Sequence, residues 1–380
     1  MSDASQPAVA FATFVGVDLH KQTVTLRAVN AAAEPIAALT CDTKCVQRIE
    51  QWLLALPRPS HLAVEAVGFV EWFIDRFRCC VDRMDLADAT ALANRRGKRR
   101  KNDNNDALDI AVRLARGDCP LGWIADEPVM QLRKLARHWR NLSRTLSRAK
   151  HCMRSMLLAA NLRGPKLDGA GAQKWLLANG HLLKDVQRQA FGDFVDLVQL
   201  VERQREALRR KIIFANRQDR FAALLAILRS VPGIDEVWGC VIAAEVGDFA
   251  RFPNADALEF WAGLTPDNQS SAGRTQSGHI TKAGSATLRW ALCKAAVTRR
   301  RAAARSGSFC RSDAKQEAIR QRLIRRVGKA RANVAMGRRL LRILFAMARD
   351  GTVYQRGPST GHEKAANQAR LKKRQRSKAA

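Results

Sequence analysis

Apolar positions along the chain change their period twice, and each change marks a different kind of structure. Residues 11–19 (F-A-T-F-V-G-V-D-L) and 23–29 (T-V-T-L-R-A-V) are short apolar runs rich in β-branched and aromatic side chains, which predicts two strands; 35–41 (P-I-A-A-L-T-C) predicts a third. A helical pattern follows over 44–56 and stops at Pro57 and Pro59. Residues 61–67 (H-L-A-V-E-A-V) form another strand-like run, Gly68 punctuates it, and 69–80 returns to helical spacing. A fifth strand is predicted over 84–89, and an amphipathic helix from about Asp103 to Arg116. Strands followed by strand–helix alternation predict an α/β domain over 11–118, behind a disordered tail at 1–10.

The next segment, 119–220, has a different period. Leu132, Leu135, Trp139, Leu142, Leu146, Ala149, Met153, Met156 and Ala160 alternate spacings of three and four, a heptad seam. Phe191, Phe194, Val198, Val201, Leu208, Ile212 and Ala215 repeat it, with Arg205 interrupting. Two long helices joined between Gly164–Pro165 and Gly180 would pair with each other or with another subunit, as a coiled-coil arm for spacing or oligomerisation. From Phe221 to about 352 the chain reads as mainly helical, glycine-punctuated and basic. Residues 353–380 are Lys/Arg/Gln-rich without apolar period and read as a disordered basic tail.

Charge narrows the partners. The 380 residues carry 66 Lys and Arg against 35 Asp and Glu, a formal net charge of +31, which points to nucleic acid. No run of eighteen apolar residues exists, and the opening stretch lacks a basic signal-peptide region. The expectation is a protein without a membrane segment, cytoplasmic and nucleoid-associated. Nine cysteines, with no C-x-x-C and no zinc-ligand spacing, read as reduced thiols.

Four acids stand out in the first domain. Asp18 ends an apolar run and Glu65 interrupts one, where an unpaired charge is costly. Asp103 and Asp106 are three apart and share a helix face, with Asp109 one turn further on. Four carboxylates at one sheet edge would suit Mg²⁺ or Mn²⁺ and in-line phosphodiester cleavage. The plainer reading makes Asp103 an N-cap, Asp106 a dipole partner, Asp18 a turn former and Glu65 the partner of an arginine. A basic run, Arg95, Arg96, Lys98, Arg99, Arg100 and Lys101, precedes the last two acids and would draw a phosphate beside them.

In the third region, 230–247 reads as helix, tight turn at Pro232–Gly233, helix: either a phosphate-binding hairpin or a plain helical one. Residues 263–289 read as a glycine-, serine- and threonine-rich loop bearing Arg274, Lys282 and Arg289, spaced to approach a sugar–phosphate backbone.

Taken in order, these strings resemble the DEDD-type transposases of bacterial insertion sequences, specifically insertion-sequence family 110. G-V-D-L-H-K (16–21), V-E-A-V-G (64–68) and K-N-D-N-N-D-A (101–107) match its three acidic motifs; V-P-G-I, G-L-T-P, a serine near a glycine, I-T-K-A-G and L-R match its second domain. The resemblance implies a RuvC-like, RNase H-like catalytic domain with Asp18, Glu65, Asp103 and Asp106 as metal ligands. It implies Ser271 as a nucleophile that attaches to a DNA 5′ phosphate, working with the acidic site of another protomer in a dimer or tetramer. It implies a structured guide RNA that pairs with donor and target DNA. The chain departs from the family at Val67, where threonine is usual, at Asp235, where a second glycine is common, and at Ala272, which separates Ser271 from Gly273 and leaves Ser270 as a competing nucleophile.

Three other readings stand beside it. One is a tyrosine recombinase using the single tyrosine, Tyr354, with His151 and Arg154. Another is a decayed transposase that only binds nucleic acid. The third is a RuvC-like metal nuclease without serine chemistry.

Overall fold

The computed structural model describes residues 10–88, 91–92, 103–216, 219–271, 274–305 and 311–354. The chain divides into two compact units, residues 1–125 and 126–380.

In the first unit, β1 (Thr13–Leu19), β2 (Thr23–Asn30), β3 (Pro35–Asp42), β4 (Ser60–Glu65), β5 (Arg83–Ala87) and β6 (Leu121–Gly122) form a mixed sheet in the order β3-β2-β1-β4-β5-β6. β1, β2 and β3 run antiparallel in sequence, whereas β4 lies parallel to β1 and β5 parallel to β4. The central strands are covered on both faces, which is why β1 and β4 read as nearly unbroken apolar runs. The last residues of edge strand β3 alternate buried and exposed. One face packs Val15, Val17, Leu62 and Val64 against α1 (Val46–Leu54) and α2 (Glu71–Phe77), with Phe73 and Phe77 fully buried there. The other face packs Ala63 and Ala87 against Ile110 and Leu114 of α3 (Asp103–Ala115).

The second unit is mostly helical. α4 (Glu127–Ala159) and α6 (Asp185–Ala215) pack on each other, with α5 (Gly169–Asn179) at the end where they join. Leu132 and Trp139 meet Leu208 and Ile212, while Met153 and Leu157 meet Phe191 and Val195, so the two long helices run antiparallel. The heptad seam is therefore occupied within the chain. Arg205, which breaks the pattern, places its guanidinium 5.8 Å from the Trp139 ring centre, an interaction that tolerates a cation at the seam.

The remaining elements are α7 (Asp219–Arg229), α8 (Glu236–Val246), α9 (Ala255–Trp261), a hairpin of β7 (Pro266–Ser271) and β8 (Arg274–Ile280), α10 (Ala286–Arg305) and α11 (Arg311–Asp350), which breaks at Gly328. α8 is buried on all sides, and with the first half of α4, α10 and the end of α11 it forms the largest core. The segment read as a loop over 263–289 is thus in part a paired hairpin. Its Ser/Thr/Gln content hides the apolar alternation that usually signals a strand.

Among the described residues no helix is long and apolar enough to cross a membrane, and eight described cysteines are free. The basic run 95–101 and the tail from residue 355 lie outside the described residues.

Candidate functional site

The acidic end of the first unit is built by strand register. Val17 of β1 pairs with Val64 of β4, so Asp18 and Glu65, the next residue in each parallel strand, stand at the same level of the sheet. Alternation puts Asp18 on the same face as Gly16, and Glu65 on the same face as Ala63. That is the face α3 covers.

Gly16 fixes how close the helix comes. A Cβ added there would fall on the Ala107 carbonyl oxygen and lie 2.6 Å from the Ala111 nitrogen, so only glycine admits α3 at this distance. Asp106, Ile110 and Leu114 line the buried stripe of the same helix, with Ala107 and Ala111 supplying the flat surface. α3 meets Gly16 through Ala107 and Ala111, and Asp106 immediately precedes Ala107 in that helix. Asp106 is buried at 7% exposure, and Asp18 at 2%. Asp103 opens the same helix, but its side chain lies outside the described residues.

His20, just past the end of β1, sets its Nε2 3.3 Å from Asp18 Oδ2, a brace missed by reading the strands alone. Asp109 is taken by another partner: Arg113 Nε donates to its carboxylate at 2.9 Å, and this bond raises the arginine's pKa. Asp109 is thereby engaged by a residue of its own helix.

Asp18, Glu65 and Asp106 offer oxygen donors only, the chemistry of a hard divalent cation. Among the described residues no group of three or more His, Cys, Asp or Glu side chains is drawn together tightly enough to hold a metal. The carboxylates fit such an ion in the kind of donor they offer, and strand register sets two of them, Asp18 and Glu65, at one level of the sheet.

In the second unit, Ser270 pairs with Thr275 and Ser271 with Arg274, so both candidate serines sit on β7 at the closed end of the hairpin. The base of that hairpin is closely packed. Gly263 takes φ +64°, and a Cβ on Gly284 would fall on the Trp261 carbonyl oxygen, which explains the glycines of G-L-T-P and K-A-G. Arg289 Nη1 ties the same region together, donating to Ala262 O at 3.0 Å and Gly284 O at 2.7 Å. Lys282 is exposed beside it, with φ +57°.

The helical turn at Pro232–Gly233 forms as expected, but Asp235 caps α8 by accepting from the Trp238 amide at 2.9 Å. A carboxylate already occupies the helix start, which favours the plain hairpin over a phosphate site. Tyr354 is anchored through its amide to Ser230 Oγ at 2.7 Å.

Two buried acids, which the sequence reading passed over, tie the second unit together. Glu245, 1% exposed, accepts from Arg137 Nε and Nη2 at 3.0 and 3.1 Å and from Ser285 Oγ at 2.9 Å. Glu259, fully buried, accepts from Arg338 Nε at 2.7 Å. The signal was available: each is an acid set among apolar neighbours, V-W-G-C-V-I-A-A-E-V and A-L-E-F-W.

Comparison with known proteins converges on one class. Residues 15–161 match the model of the IS110-type DEDD domain, described as "Transposase", and residues 225–311 match "Transposase IS116/IS110/IS902 family". The class is thus the DEDD transposases of insertion sequences. Similar proteins include "Putative transposase y4qE" of Sinorhizobium fredii, 27% identical over 54% of this chain and 49% of that protein. "Insertion element IS110 uncharacterized 43.6 kDa protein" of Streptomyces coelicolor is 31% identical over 38% of this chain and 33% of its own length. "Probable family 20 transposase" of Pseudomonas aeruginosa is 29% identical over 47% and 48%. The chain spans about half or less of the length of these curated relatives. It belongs to the IS110 family of transposases.

Proposed function

We propose that this protein moves an insertion sequence by cleaving and exchanging DNA strands, with an acidic metal site in the first unit and a serine nucleophile in the second. The observation that carries the proposal is the equal register of Asp18 and Glu65 beside the Gly16 contact that brings in the start of α3. The strand order of the sheet supports an RNase H-like, RuvC-like reading of this unit. The antiparallel pair α4 and α6 supports reading the helical arm as a coiled coil.

Asp18, Glu65, Asp103 and Asp106 would hold Mg²⁺ or Mn²⁺. When bound, that ion would supply Lewis-acid stabilisation of charge on the phosphate oxygens. His20 would keep the Asp18 carboxylate oriented. The serine hydroxyl, Ser271 or Ser270, would attack phosphorus; the Oγ–P bond forms as the P–O3′ bond breaks. The serine proton is lost to a base, the leaving 3′ oxygen gains one, and the 5′ phosphate stays on the protein. A serine is a weak nucleophile and needs this activation. The hydrogen bonds of Arg289 at the hairpin base would help hold the serine strand in place. Arg95, Arg96, Lys98, Arg99, Arg100, Lys101, Arg274, Lys282 and Arg289 are proposed to meet nucleic acid, and the resemblance supports a guide RNA and an oligomer.

The test co-expresses the full chain with its flanking DNA and seeks a protein–DNA adduct that survives denaturation. Wild type should form it, Asp18→Asn should not, and one of Ser271→Ala and Ser270→Ala should abolish it. Cleavage without an adduct, untouched by either serine change, would leave a metal nuclease. Binding without cleavage would leave a decayed transposase.

A further inference from the structure

α4 carries a second stripe beside its buried seam. Arg133, Arg137, Arg140 and Arg144 follow at spacings of four, three and four, which places them on one face of the helix. The first two are spent inside the fold. Arg133 donates to the carbonyls of Ala244 and Glu245 at 2.7 and 3.0 Å, and Arg137 grips the Glu245 carboxylate. Together they close the C-terminal end of α8, where backbone carbonyls need donors.

Further along the stripe the acceptors run out. Arg140 is half-buried, and its Nε is sealed from solvent with no acceptor among the described residues. Arg144 beside it is exposed. Arg289 approaches from α10: Trp290, its neighbour in sequence, packs on Trp139, the neighbour of Arg140, with ring centres 5.5 Å apart. Arg289 is itself held in place by two backbone carbonyls. Burial disfavours the charge on both Arg140 and Arg289, and Arg289 feels the positive charge of Arg140. Glu245 is the nearby counter-charge, and its carboxylate already accepts from Arg137 and Ser285.

We propose that Arg140, Arg144 and Arg289 form a seat for one nucleic-acid phosphate where the helical pair meets the C-terminal core. A guanidinium presents a planar fork that matches two phosphate oxygens, so a phosphodiester supplies the acceptors this cluster lacks. The proposal rests on the transposase reading only for the source of the phosphate, DNA or guide RNA, which share this chemistry.

The test measures binding of the full chain, without divalent ion, to a duplex bearing the element end and, separately, to the transcript of the flanking DNA. Affinity is followed across a salt series. Each duplex phosphate contact adds about 0.9 to the slope of log K against log salt, and each single-strand contact about 0.7. Arg140→Gln and Arg144→Gln should each reduce the slope, by at most that amount, in one arm, which names the source. Arg140→Lys should retain the slope with weaker binding, and Arg349→Gln, whose guanidinium is committed to Asp350, should leave it unchanged. Should Arg140→Gln unfold the chain, the exposed Arg144 carries the test alone. Unchanged slopes in both arms for folded variants would overturn the seat. Because no cleavage is read, failure of the catalytic proposal leaves this result intact.

Discussion

Gly16→Ala is the smallest change that should disable the acidic site without touching an acid. The added carbon would land on the Ala107 carbonyl oxygen and 2.6 Å from the Ala111 nitrogen, both backbone atoms that cannot rotate away. Ordinary contact lies at 3.4 Å or beyond. Either α3 or β1 must therefore move by roughly 1 Å, the scale at which misplacement of catalytic groups costs about 100-fold in rate. Overpacking a core by a methyl typically costs about 1–3 kcal/mol, and a backbone clash belongs at the upper end. In the full chain, the unfolding transition of the first unit should shift down, and strand cleavage should fall about 100-fold while nucleic-acid affinity holds. Ala63, paired with Gly16 in register and buried on the same face, provides the control: Ala63→Gly removes a methyl at that level without pushing on α3. Wild-type stability together with wild-type cleavage in Gly16→Ala would refute the idea that this contact sets the site.

Three further outcomes follow from the same reasoning. Glu245→Ala should destabilise the second unit by about 2 kcal/mol, less than the usual cost of breaking a fully buried pair because Arg137 is half-exposed, with Glu245→Gln milder; thermal unfolding of the full chain reads both. Burial works to raise the Asp85 pKa, but hydrogen bonds from His61 and Arg83 and the charge of Arg83 outweigh it and hold the carboxyl below its ordinary value. A depressed folded pKa contributes stability above the unfolded carboxylate value and loses it as pH falls through the folded one, so Asp85→Asn should flatten the acid limb of a denaturation-midpoint profile. Gly284→Ala, which drives a methyl onto the Trp261 carbonyl, should loosen the hairpin base and lower adduct yield more than nucleic-acid binding, as read by denaturing gels beside a binding titration.

The first unit was legible wherever burial on both faces leaves continuous apolar strands. β1, β2, β4 and β5 fall within a few residues of the apolar runs that predict them. Asp18, Glu65 and Asp106 stand out as acids at the ends of such patterns; strand register sets Asp18 and Glu65 at one level of the sheet, and Asp106 is buried in the helix that packs on Gly16. What the sequence hides is the contact that seats α3 on the sheet: Gly16 reads as an ordinary strand glycine until α3 is seen against it. The hairpin at 266–280 is obscured because its strands are polar, and the function of Arg205 appears only when Trp139 lies beneath it. Glu245 and Glu259 show the opposite lesson. An acid in an apolar stretch announces a partner, but the partner is more than 75 residues away and only folding supplies it.

If Asp18, Glu65 and the start of α3 form one metal-binding centre, localised oxidative cleavage reveals it without any catalytic turnover. The full-length protein is loaded with Fe²⁺ in place of Mg²⁺, treated with ascorbate and peroxide, and its fragments are mapped by mass spectrometry. Backbone cuts should cluster near residues 18, 65 and 103–106, be suppressed by excess Mg²⁺ and be lost in Asp18→Asn. Cuts scattered elsewhere, or cuts at these positions that Mg²⁺ does not suppress, would contradict the proposed centre.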